Sequence, residues 1–271
     1  MNVQYFPGLR CYDSNLLAVM QLEQLEYLQL FSECFNFTVN DGSVIPICDY
    51  NIRNQMIESG ALIKILSLDS LDLSRENIGY IQLEMDIFDI PWHPKFLKEH
   101  NNHYVLLTNR AQGHLVVRDP MCVRGEQYIS TDEMLKVMSI ESIDVKKLSL
   151  PKLLKLPKVE FDCLKAWAYN VKQVDVFQLL SGVEKDSYNN NFYKSLWSVA
   201  HGISLYGQYY CDLVKGYSIS NFENLTKQWL LLRSMLVNEY LRGTKNIETI
   251  NKKIEEILEK EKRIIGDIEG E

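Results

Sequence analysis

Apolar residues at Leu16, Leu17, Met20, Leu25, Leu28 and Phe31 recur at helical spacing and predict one long helix over residues 13–33. The texture then changes. FNFTVNDG (35–42), ALIKILSLD (61–69), GYIQLEMDIFDI (79–90), HYVLLTN (103–109) and HLVVRDP (114–120) are short runs separated by turn residues. Their β-branched and aromatic content is the strand signature. STDEMLKVM (130–138) opens with Ser and Thr before two acids, which marks a helix start, and IDVKKLSL (143–150) suits a closing strand. Beyond Pro151 and Pro157 the strand pattern stops. Residues 160–265 have helical spacing, with Trp167, Trp197 and Trp229 as packing anchors. Ile247, Ile250, Ile254, Ile257, Ile264 and Ile268 form the stripe of an amphipathic last helix. That stripe packs onto its own domain or, on the sharper reading, forms a homodimer contact. The expected architecture is α+β: an N-terminal domain with an antiparallel sheet over 1–150, followed by an all-α domain over 151–271.

Composition narrows the class. The chain has 271 residues, 46% hydrophobic and 24% charged, enough for one large domain or two modest ones. No apolar run approaches the eighteen residues of a membrane span. The first residues, MNVQY, lack the basic and apolar regions of a secretory signal, so a cytoplasmic protein is expected. A net charge of −7 argues against nonspecific nucleic-acid binding. Cysteines 11, 34, 48, 122, 163 and 211 show no CxxC pair and no zinc spacing, so free thiols are expected. Five of them are adequately explained as small buried hydrophobes. No nucleotide or metal motif is present, and neither a resident cofactor nor a metal is expected.

The most informative stretch is NNHYVLLTNRAQGHLVVRDP (101–120). Two strand-like runs flank NRAQG, predicting a hairpin. Symmetry about Ala111 sets His103 opposite Asp119, with Val105, Leu107, Leu115 and Val117 between them on one face. A carboxylate beside an imidazole fixes its tautomer and stabilises its cation, which is the orienting role in a nucleophile–base–orienter triad. A plain cross-strand polar pair is the bland alternative. Cys11 supplies the third member, standing where the first helix begins among Asp13, Ser14 and Asn15. At a helix N-terminus the macrodipole favours a thiolate, and backbone N–H groups can donate to an oxyanion.

Cysteine on an N-terminal helix, then histidine on a strand, then an acid at the end of the next strand is the order of the papain-like cysteine fold. In RCYDSNLLAVM around Cys11, MDIFDIPW (85–92), HYVLLTNRAQGHLVVRDP (103–120) and the C-terminal KQWLLLRSMLVNEYL, the chain resembles the butirosin biosynthesis protein H family. That family is a papain-like group related to the bacteriocin-processing cysteine peptidases. The resemblance implies an acyltransferase that moves an aminoacyl or peptidyl group from a carrier-protein phosphopantetheine thioester to a small-molecule amine in natural-product assembly. Carried over, Cys11 is the nucleophile, His103 the general base and acid, and Asp119 the orienter. Gln4 lies seven residues before Cys11 rather than the usual six of the oxyanion glutamine. Trp92 and Phe96 in PWHPKFLKEHNN (91–102) suggest a gate, with a connecting loop as the alternative. Lys146, Lys147, Lys152, Lys155 and Lys158 form either a solvated linker or a docking patch for an acidic carrier. The same triad also suits a peptidase, amidase or thioesterase, and the fold alone suits a non-catalytic carrier-binding module.

Overall fold

The computed structural model describes residues 3–38, 45, 47–48, 50–71, 79–111, 113–157, 161–183, 185, 190–244 and 246–270. Residues 39–42 of the first predicted strand, Lys158 and the side chains of Cys48 and Cys163 lie outside the described residues. The chain forms two compact units, one of residues 1–27 and 52–151, the other of residues 28–51 and 152–271.

In the first unit, helix α1 spans Cys11–Leu22, so Cys11 is its first residue rather than its flank. The helix ends well short of residue 33. Leu25 N–H bonds Met20 O and Gln24 N–H bonds Gln21 O, with Gln24 left-handed at φ 55°. This is a Schellman stop built without glycine, so no residue type announced it. A short helix α2 (Ile52–Glu58) follows. Strands β3 (Leu62–Ile65), β4 (Tyr80–Asp86), β5 (Asn102–Ala111), β6 (His114–Arg118), β7 (Glu126–Ile129) and β8 (Ser139–Asp144) form an antiparallel sheet in the order β3-β8-β4-β5-β6-β7.

One face of the sheet buries Ile81, Leu83, Met85, Val105, Leu107, Leu115, Val117 and Ile140 under Ile90 and Met134. Each such Leu or Val side chain contributes roughly 1.5–3 kcal/mol. Two expectations change here, and two further elements appear. Short strand β7 and helix α2 were not anticipated. At the helix start expected over 130–138, Ser130 N–H donates to Glu133 and Glu133 N–H to Ser130 Oγ, a capping box. It opens only a 3-10 turn, Glu133–Lys136, because Met138 N–H is already bonded to Glu84 O and the chain enters β8. The closing strand accordingly ends at Asp144 rather than beginning at Ile143.

The second unit is helical apart from a two-residue pairing of β1 (Phe37–Thr38) with β2 (Ile47–Cys48). Its helices are α3 (Phe161–Gln173), α4 (Asn191–Leu213), α5 (Ser220–Arg242) and α6 (Ile247–Glu269). Segment Leu28–Asn51 belongs to this unit, not to a continuous domain over 1–150. Phe31, Cys34 and Phe35 bury there, Phe35 with its ring 5.7 Å from that of Tyr206 on α4. Ile250, Ile254, Ile257, Ile264 and Ile268 are buried, so these positions of the α6 stripe pack internally, whereas Ile247 is exposed. Trp167 and Trp229 are fully buried with rings 5.3 Å apart, whereas Trp197 keeps partial exposure. Gly207 permits the close approach of α4 and α5: a Cβ there would fall 2.6 Å from the Phe222 side chain.

Candidate active site

The β5–β6 hairpin places the central pair, by a different register from the expected one. Leu106 pairs with Arg118 and Leu107 with Val117. A bulge follows between Leu107 and Asn109, and the turn falls after Ala111 at Gly113, φ 84°. Continued past β6, this register sets Asp119 across from Val105 and diagonal to His103. A displacement of two residues leaves every side chain on its face. The pair therefore meets diagonally instead of directly, and His103 Nε2–H donates to Asp119 Oδ2 at 2.9 Å.

Both residues are fully buried. Asp119 Oδ2 also accepts from Trp92 Nε1–H at 2.9 Å, and Oδ1 accepts the Cys122 backbone N–H at 3.2 Å. Burial alone would raise the proton affinity of this carboxyl, but the His103 ring, Trp92 and the Cys122 amide together hold it below the usual carboxylate range. Burial likewise opposes a charged His103, yet the hydrogen bond to Asp119, then the Cys11 and Cys122 thiols, push its proton affinity up. The result is a buried carboxylate that favours an imidazolium.

With Nε2–H committed to Asp119, Nδ1 is the ring position left to exchange a proton, and it has no hydrogen-bond partner. The Cys11 thiol comes near enough to act on the His103 ring without closing a hydrogen bond to Nδ1. Cys11 is held there by its neighbour. The Tyr12 hydroxyl donates to Glu141 on β8 at 2.5 Å and accepts from Arg53 Nε on α2 at 2.9 Å. The Tyr12 ring also meets Tyr104 of β5 edge-on at 5.1 Å. The first helical hydrogen bond is Ser14 N–H to Arg10 O, so the amides of Cys11, Tyr12 and Asp13 precede the helical ladder. No side chain of Arg10 caps them. Ser14 and Asn15 lie inside the helix as buried side chains, not at its cap. Gln4 is exposed, and its backbone N–H and C=O both pair with the Gln21 amide.

The 91–102 segment walls the pair. Beyond the Trp92 bond, the His93 ring packs edge-on against His103 at 5.1 Å. His100 stacks on Phe88 and pairs with Asp86 at 2.7 Å, a partnership that sequence spacing had not suggested. Cys122, passed over as a small hydrophobe, brings its sulfur 3.8 Å from His103 Nε2. The turn signal of Asp119-Pro120 was the available clue, because Cys122 N–H bonds back to the Asp119 carbonyl.

His93, His103 and Cys122 present donor atoms within 4.8 Å of one another, residue types that zinc accepts. The proton positions oppose it. His93 Nδ1 accepts the Lys95 N–H at 3.1 Å, so the neutral ring carries its proton on Nε2, and His103 Nε2 donates to Asp119. Two of the three groups thus do not offer free lone pairs to a common point. In the lysine-rich segment, Lys155 is already paired with Glu33 at 2.8 Å. Its backbone is pinned by the hydroxyls of Tyr206 and Tyr209.

Neither a scan against protein-family models nor a search of curated proteins finds a match to this chain. Among the described residues, no helix is long and apolar enough to cross a membrane.

Proposed function

We propose that the protein is a cysteine-dependent acyltransferase of papain-like architecture, with Cys11, His103 and Asp119 as its catalytic triad. The observation that carries this reading is the buried His103–Asp119 pair, whose remaining ring nitrogen lacks a partner beside a thiol on the first residue of a helix. Cys11 thiolate attacks the carbonyl of a phosphopantetheine thioester presented by a carrier protein. A carbon–sulfur bond forms, the pantetheine sulfur leaves, and His103 returns a proton to it. An amine then attacks the acyl-cysteine, His103 takes its proton, and the Cys11 sulfur is released. Amides at the start of α1 receive the oxyanion in both steps. Asp119 keeps the ring oriented throughout, and the wall of Trp92 and His93 limits water at the pair. The resemblance to the butirosin biosynthesis protein H family suggests an aminoacyl or peptidyl donor and a small-molecule amine acceptor.

Incubation with alanyl-pantetheine, followed by intact-mass measurement, tests the reading. An acyl adduct is expected on the wild type and on Cys122→Ser, and none on Cys11→Ser. Adding an amine should convert the adduct to amide. Release to water alone, with amine present, would replace transfer by hydrolysis; no adduct on any form would leave a non-catalytic carrier-binding fold.

A further inference from the structure

Tyr193, Trp197 and His201 recur every four residues on α4 and form one stripe of that helix. Arg233 of α5 lies against it, with its guanidinium carbon 3.6 Å from the centre of the Tyr193 ring. The His201 ring meets Trp197 edge-on at 4.7 Å. Thr226 of α5 donates its hydroxyl to Ala200 O of α4 at 3.0 Å, which holds the two helices in this register. All four side chains of the cluster keep partial access to solvent.

Among the described residues, the cluster lacks a counter-charge. Arg233 Nε is buried without a hydrogen-bond partner, and the guanidinium interacts with Tyr193 and His201. A half-buried guanidinium with an unpartnered Nε is well matched by a carboxylate or phosphate. His201 responds to the same imbalance: burial and then the Arg233 charge push it down to about 4, so it is neutral at physiological pH. The titratable groups facing one another here are Tyr193 and His201 from α4 and Arg233 from α5, and no acid is among them.

We infer that Arg233, His201, Tyr193 and Trp197 form a binding site for a carboxylate attached to an apolar body. The fork of a single guanidinium matches the two oxygens of a carboxylate, and one positive charge balances its one negative charge. A phosphate dianion would be left undercompensated beside a neutral imidazole. The aromatic faces of Tyr193 and Trp197 supply the apolar contact. A bound carboxylate offsets Arg233 and gives protonated His201 a partner, so the His201 titration rises on binding.

The test uses the full chain with 3-phenylpropanoate, following the His201 ring proton resonance, assigned by its loss in His201→Gln, together with calorimetry. A saturable shift is expected, with the His201 titration rising by about one unit. Arg233→Gln should weaken binding at least about tenfold, and Arg233→Lys should also weaken it, keeping the charge but losing the fork. Circular dichroism checks the fold of each variant; if Arg233→Gln fails to fold, Arg233→Lys and the wild-type titration decide. No saturable shift at up to about 50 mM, or equal affinity in the Arg233 variants, overturns the site. Inorganic phosphate binding in place of 3-phenylpropanoate overturns the carboxylate assignment, and acetate binding equally well overturns the apolar contact.

Discussion

Asp119 in the sheet unit and Glu261 in the helical unit are equally inaccessible to water, yet they are held in opposite states. Asp119 accepts from His103, Trp92 and the Cys122 amide. Glu261 accepts from Trp229 Nε1–H at 2.7 Å, and its Oε2 has no partner. Burial raises the proton affinity of both. Three donors, one of them a histidine that becomes charged, reverse the effect at Asp119. One indole does not, and Glu261 is pushed up to about 8. Burial therefore does not decide the charge of an interior acid; the number and charge of its donors do.

The largest effect is expected from breaking the satisfied side. Asp119→Ala should slow acylation of Cys11 by about 10³–10⁴-fold, because the imidazole loses its orienter. It should also destabilise the protein by roughly 3–5 kcal/mol, since a buried cation loses its partner. Acylation rate and urea unfolding measure the two, and an unchanged rate would remove Asp119 from the triad.

The unsatisfied side should respond in the opposite direction. Glu261 has its folded proton affinity raised above the unfolded value, so its stabilising contribution is complete below about pH 4.5 and fades as pH rises toward 8. Glu261→Gln keeps an acceptor for Trp229 and removes the titration. It should be more stable than wild type by a few kcal/mol at pH 8 and nearly equal to it at pH 4, read from unfolding curves across pH. A constant difference across that range would mean Glu261 does not titrate in the fold.

A matched pair of smaller changes sharpens the contrast. Trp92→Phe and Trp229→Phe each remove one indole donor and should cost about 1–2 kcal/mol at neutral pH. Asp119 is depressed, so its contribution is present above the ordinary carboxylate value and lost as pH falls through the folded one. Without Trp92 the folded value rises, so that loss should be complete at a higher pH. Without Trp229 the fading seen for Glu261 should extend to higher pH still. The smallest effect belongs to Cys122→Ser, within about 1 kcal/mol, with acylation of Cys11 retained.

The strands of the hairpin were legible because alternation on a half-buried surface is written directly into residue order. Its register was not: the bulge after Leu107 and the turn at Gly113 move the pairing by two, and only the period of two saved the face of Asp119. The end of α1 was hidden because Gln24 adopts a conformation usually given to glycine. Cys122 and His93 escaped notice because their partners come from a folded turn and a connecting segment, not from spacing along one element.

Sequence by itself determined the change from strands to helices, the stripe on α6, and Cys11, His103 and Asp119 as the candidate residues. Those features follow from local periodicity and side-chain chemistry, which each segment carries alone. Tertiary structure decided that residues 28–51 join the helical unit, that Trp92 and the Cys122 amide complete the shell of Asp119, and that Glu261 lacks such a shell. These outcomes depend on which distant groups reach one another, because hydrogen bonds and desolvation act over a few ångströms while the partners lie tens of residues apart.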